Sequence, residues 1–325
     1  LSSKVLGVFL VLEVLSVTIL DVAIIGTGGN EGLSLVPFSP SNFLSGVPGL
    51  GLMWAFFGFI GFEATAVFRN EAKDPEKTIP RATYIAVAFI ALFYGFSGWC
   101  LVMGAGADSA LAFAQKTQDA YALELAALYV GQWLYDVFQC LLVTSLFACA
   151  LALHNVASRY TFTLSRVKVL PACLGEVHKT HFAPSNASMS ISIVSFALLA
   201  IVTIVGLDPL TVYAWFANTA TLGLLVLQML TSVSVAAFFR RVVHGASIWR
   251  TLVAPVVAAA CLAFVASVVL SNFADLTGDM TSALVMGSLI PLSYLVGMAI
   301  AGRMKKNRPS DFSNLAILVS GQSAA

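Results

Sequence analysis

Two glycines and a carboxylate interrupt an apolar run at Phe56-Phe57-Gly58-Phe59-Ile60-Gly61-Phe62-Glu63. Glycine lowers the cost of leaving helical geometry. A carboxylate inside an apolar segment is expensive unless it has a partner or faces a cavity. The combination reads as a broken membrane-spanning helix that turns bare backbone groups toward a solute. Unwinding between Gly58 and Gly61 leaves carbonyls unpaired. Those acceptors suit an ammonium group, and the half-helix ends add favourable dipoles. Close packing of two helices through small residues is the alternative reading of the same pair.

Glu13 is a second carboxylate of this kind. It lies nine residues past Lys4, which is ~13 Å along a helix, inside an apolar core ~30 Å thick. Ionised and unpartnered at that depth, it would cost on the order of 3 kcal/mol or more. Glu13 therefore reads either as a protonatable coupling residue or as a hydrogen-bonded core glutamate. Asp21 and Asp136 fall near the outer ends of their segments and read as solvated.

The elements that carry these groups follow from composition. The chain has 325 residues, 59% hydrophobic and 10% charged, with a mean hydropathy of +0.90. Soluble domains run near 25% charged, so the sequence predicts a polytopic, all-α membrane protein. Eight segments reach the ~20 apolar residues that a span needs: 5–25, 49–68, 82–104, 133–157, 187–206, 210–237, 251–271 and 281–302. Lys116 is the single basic residue of the loops on one side, which leaves 16 of the 17 Lys and Arg on the other. The positive-inside rule makes that other side cytoplasmic, with both termini inside.

The outer segment 26–48 is rich in Gly, Ser and Pro. Within 105–131, the amphipathic stretch Tyr121 to Tyr129 is expected to lie along the interface. A cytoplasmic tail, 309–325, is expected to be disordered. The first span starts at once, without an initiator Met, and reads as the start of a chain cut from something longer. Cys100, Cys140, Cys149, Cys173 and Cys261 show no disulfide or metal spacing and read as small buried hydrophobes. No nucleic-acid strip, cofactor motif, hydrolytic constellation or channel filter is present, so the sequence predicts neither an enzyme nor a nucleic-acid partner.

The glycine-pair segment, with Lys73-Asp74-Pro75-Glu76-Lys77-Thr78-Ile79-Pro80-Arg81-Ala82 after it, resembles the sixth helix and following loop of amino acid–polyamine–organocation (APC) transporters. Asn155-Val156-Ala157-Ser158-Arg159-Tyr160, through Ser165-Arg166 to Leu170-Pro171, is similar to the end of the family's eighth helix. Trp215 to Arg241 is similar to helix ten and its basic end. Two stretches depart from the pattern. Arg69-Asn70-Glu71 stands where Gly-Glu-Glu is common, and Arg166-Val167-Lys168-Val169 stands where Arg-Asp/Glu-Gly is usual.

The resemblance implies a partial LeuT-like bundle of five-plus-five inverted repeats. The eight spans would correspond to family helices five to twelve, within a permease domain over 1–308. It implies alternating-access transport of an amino acid or related amine across the plasma membrane, coupled to H+ or Na+ or run as exchange. A transport-inactive membrane fragment or interaction subunit is the alternative. It also implies a substrate site at Phe57, Gly58, Phe59, Ile60, Gly61 and Glu63, with the phenylalanines walling the pocket and Glu63 gating or coupling. Glu13 would border an ion site, and Thr144, Ser145 and Cys149 would present a stripe toward it. Ordinary helix packing remains open for that stripe.

Overall fold

The computed structural model describes residues 3–67, 72–178, 183–241, 245 and 247–313, with side chains from residue 7 onward. Eight helices are long and apolar enough to cross a membrane, in the order that hydropathy predicts, and no strand occurs among the described residues. The chain is a polytopic all-α membrane protein. Arg69, Asn70 and Glu71, where the loop pattern departs, lie outside the described residues, as do 314–325 of the tail.

Apart from a one-turn helix at Pro40–Leu44, the α-helices in chain order are α1 (Ser3–Thr27), α2 (Pro48–Phe59), α3 (Ala64–Val67), α4 (Pro75–Ala105), α5 (Ala110–Thr117) and α6 (Tyr121–Tyr129). They continue with α7 (Gln132–Arg166), α8 (Ser185–Val205), α9 (Pro209–Phe239), α10 (Ala254–Ser271), α11 (Phe273–Thr277) and α12 (Met280–Asn307). Inside a bilayer each backbone group must be satisfied within the chain. Hydroxyls accordingly turn back into their own helices, as Thr18 does to the Val14 carbonyl at 2.7 Å and Thr231 to that of Leu227 at 2.8 Å. Large apolar side chains point outward, with Ile204 84% exposed, as expected for surface that meets lipid.

Two boundaries differ from the apolar pattern. The third span starts at Pro75 rather than near 82, because Pro75 occupies the first turn, where its missing N–H costs nothing. Pro80 then sits inside the helix without breaking it. The fourth span runs to Arg166, past the apolar run that ends near 157. It stops at Lys168, whose φ is +63°. The Val169 amide then reaches back to the Leu164 carbonyl at 2.9 Å, as in a left-handed helix cap.

The chain divides into two compact units, Leu1–Gly46 with Gly61–Val156, and Val47–Ile60 with Ala157–Ala325. In the first, α1 packs on α4 and α6 around Leu20, Ile24, Met103, Leu125, Ala126 and Leu134. The stretch Tyr121–Tyr129 is a helix that packs one side against α1 and α4. Leu125 and Ala126 are buried. The Tyr129 and Tyr121 hydroxyls donate to the carbonyls of Gly104 at 2.8 Å and Leu101 at 3.2 Å.

The outer segment after α1 is pinned to the end of α4. The Asn30 amide donates to the Met103 carbonyl at 3.0 Å. The Asn30 side chain donates to Ala105 at 3.1 Å, and the Trp99 indole to the Ser34 carbonyl at 2.8 Å. Gly29 is required there, since its φ is +73° and a Cβ would stand 2.6 Å from the Met103 carbonyl oxygen.

In the second unit α9 packs on α2, α10 and α12 around Met53, Leu222, Val269, Phe273 and Leu276. Asn218, buried in α9, donates to the Leu276 carbonyl at 2.8 Å, and the Trp215 indole to that of Thr277 at 2.7 Å. Asp208 and Asp279 cap α9 and α12 by accepting the amides of Thr211 and Ser282, each at 2.8 Å. Bonds from Thr211 and Ser282 hold both carboxyls below the usual range. Residues 309–313 are helical, and Asp311 pairs with the Lys168 ammonium at 2.8 Å.

Candidate functional site

The second span is interrupted over four residues. α2 ends at Phe59, Ile60 turns out at ψ 132°, and Gly61 takes φ +112°. No Cβ is tolerated comfortably at that φ, although nothing lies within 4 Å of where one would stand. The Ile60 amide falls back on the Phe57 carbonyl at 3.1 Å, and helical bonding resumes with the Ala64 amide on the Gly61 carbonyl at 3.0 Å. Among the described residues no hydrogen bond reaches the carbonyls of Gly58, Phe59 or Ile60. Three consecutive acceptors are thereby available at the end of a half-helix, whose dipole favours a cation.

Glu63 folds over the break, and one carboxylate oxygen accepts the Gly61 amide at 2.9 Å. That bond satisfies an amide orphaned by the turn. Phe57 is half-buried. Its ring meets Trp54 edge-on at 5.4 Å and Tyr213 edge-on at 6.3 Å. Phe59 is half-buried as well. Tyr213 and Trp54 escape a sequence reading, because one lies on α9, far along the chain, and the other looks like ordinary apolar filling.

The second predicted set is brought together only in part. Glu13, Ser16 and Val17 of α1 line a groove of about 190 Å³ with Leu123, Phe138 and Ser145. Ser145 therefore shares a surface with Glu13. Thr144 does not line that groove, and its hydroxyl returns to the Leu141 carbonyl at 3.0 Å. Cys149 is exposed and also stands apart. Of the five cysteines, only Cys100 is buried. The expectation of small buried hydrophobes fails for the other four: Cys140, Cys149 and Cys261 sit on outward sides of their spans, and Cys173 lies in the short turn Ala172–Gly175.

Asp21 is another correction. Far from solvated, it is 1% exposed, and its Oδ2 accepts from the Ser97 hydroxyl at 2.6 Å. Its position along α1 hid this, because α4 and α6 close over it. Glu31, on the outer segment, accepts from the Ser109 hydroxyl at 2.6 Å and the Asp108 amide at 2.9 Å. Those two bonds, Ser109 first, hold its carboxyl below the usual range.

Among the described residues this is a helical membrane protein whose second span is broken at Ile60 and Gly61. The chain belongs to the amino acid permease family, which matches residues 5–312. It is 26% identical over 192 residues to the branched-chain amino acid permease BcaP of Bacillus subtilis, covering 59% of this chain and 38% of that protein. It is 24% identical over 241 residues to BcaP of Lactococcus lactis, covering 74% and 48%. It is 28% identical over 175 residues to the chloroplastic cationic amino acid transporter 7 of Arabidopsis thaliana, covering 51% and 28%. The chain thus spans less than half the length of these curated relatives. No solved structure matches it.

Proposed function

We propose that this chain serves secondary transport of amino acids across the plasma membrane by alternating access, with both termini cytoplasmic. The observation that carries the reading is the run of carbonyls at Gly58, Phe59 and Ile60 that no backbone donor among the described residues reaches. A substrate ammonium supplies the three donors that those acceptors lack. Phe57, set between Trp54 and Tyr213, offers an apolar wall for a side chain. Two relatives carry the name of branched-chain amino acid permeases, so valine, leucine and isoleucine are the first substrates to try.

Glu63 acts here by holding the turn through the Gly61 amide. Glu13, in its groove with Ser145, takes and releases a coupling proton. If coupling runs through Glu13, Glu13→Gln flattens the pH dependence of uptake. An unchanged pH profile removes Glu13 from that role.

Binding tests the substrate site directly. Valine, leucine or isoleucine should raise the thermal midpoint of the purified protein, and the matching 2-hydroxy acids, which lack the ammonium, should not. Equal stabilisation by both compounds would rule out the carbonyls as the ammonium site. Because the chain covers under half of its relatives' length, the transport-inactive reading stays in view. It is distinguished by comparing this chain with any longer product of its reading frame.

A further inference from the structure

Asp21 is a buried carboxyl that the transport reading does not use. It sits on α1, six residues before the helix ends at Thr27, or ~9 Å inside that end. Oδ2 takes the Ser97 hydroxyl at 2.6 Å. Oδ1 is buried with no hydrogen-bond partner, the sole such side-chain atom among the described residues. No ion pair of Asp21 occurs among them either.

The surroundings decide what can satisfy Oδ1. α1 itself supplies Leu20 and Ile24, α4 supplies Ser97, Cys100 and Met103, and α6 supplies Leu125 and Ala126, all buried. The titratable groups nearby are neutral or distant. The Cys100 thiol is within electrostatic reach. The hydroxyls of Tyr121 and Tyr129 are spent on the carbonyls of Leu101 and Gly104. Glu124 of α6 is exposed, Glu13 lies eight residues back on α1 in its own groove, and Glu31 is engaged with Ser109 and Asp108. No cation stands among these groups.

A hard metal cation wants six or more oxygen ligands, and this lining of Leu, Ile, Met and Cys side chains does not provide them. An ionised carboxylate with one donor and no counter-charge is a form that buried sites avoid. A hydrogen on Oδ1 removes the charge and leaves one buried O–H donor unpaired, a smaller cost than an uncompensated buried carboxylate. We infer that Asp21 is a proton-binding site, loaded as the neutral acid while α1 is packed on α4 and α6 and unloaded only when that packing opens to water. Unloading breaks the Oδ1–H bond, passes the proton to water, and leaves a carboxylate still bonded to Ser97. Proton release is thereby tied to separation of α1 from α4.

Infrared difference spectroscopy of the full chain in lipid nanodiscs tests this. At about neutral pH, Asp21→Asn should remove a neutral-acid carbonyl band and leave the carboxylate bands unchanged. Loss of a carboxylate band, with the neutral-acid region intact, would overturn the proposal. Should Asp21→Asn fail to fold, Ser97→Ala serves instead. Losing its hydrogen bond should move the neutral-acid band to higher frequency, and no movement in that region overturns the proposal. The readout is protonation, not transport, so inactive proteoliposomes would count against the transport reading alone.

Discussion

Gly61 and Lys168 occupy backbone conformations that side chains resist, and they do so for different reasons. At Gly61 the φ of +112° opens the break, so an added Cβ strains the turn itself. Gly61→Ala should cost about 1–3 kcal/mol, seen as a lowered thermal midpoint with the helical circular dichroism retained. A midpoint equal to wild type would mean that the break adapts to a side chain. Lys168 sits at φ +63°, and its ammonium pairs with Asp311. A left-handed L-residue costs about 1–2 kcal/mol, while an exposed pair returns about 0–1 kcal/mol. Lys168→Gly should therefore stabilise by about 1 kcal/mol in denaturant melts, despite the lost ion pair. The glycine pair and Glu63 were legible because their chemistry is local in sequence. Asp21 was not, since its partner Ser97 is 76 positions away and burial depends on helices that only the fold brings together.

Among the elements, the spans were legible throughout, because apolar length alone decides which segments can cross a bilayer. The short helix Tyr121–Tyr129 was legible as amphipathic, but which surface receives its buried side was not. An amphipathic helix buries its apolar face equally well in lipid or on a neighbour, and periodicity does not distinguish them. The pinning of the outer segment was invisible too, since it rests on backbone carbonyls of α4.

Glu31 makes that pinning sensitive to pH. Its carboxyl is held below its ordinary value, so its contribution is complete above the unfolded value and is lost as pH falls through the folded one. Amides 106–110 should keep constant protection from hydrogen exchange between about pH 6 and 8, after correction for intrinsic rates, and lose it only in strong acid. Glu31→Gln, which sets an amide donor against the Ser109 hydroxyl or the Asp108 amide, should speed their exchange at every pH. Equal rates in both proteins would show that Glu31 does not hold the segment. In the other unit, Asn218→Ala leaves the Leu276 carbonyl unpaired beside a small void. It should cost about 1–3 kcal/mol in thermal or denaturant unfolding.

For the whole molecule, composition and apolar length were enough to give a polytopic membrane protein with eight spans among the described residues, because a bilayer leaves a chain few solutions. The role of the broken span is the part that rests on chemistry. The direct test is uptake of radiolabelled valine, leucine and isoleucine into proteoliposomes, using this chain and any longer product of its reading frame. Gly61→Ala is carried in parallel with each. Saturable uptake of at least one of the three is expected, reduced about tenfold or more by Gly61→Ala, in keeping with loss of at least ~1.4 kcal/mol of binding. Saturable uptake that Gly61→Ala leaves unchanged would contradict the claim that the carbonyls of the broken span hold the substrate.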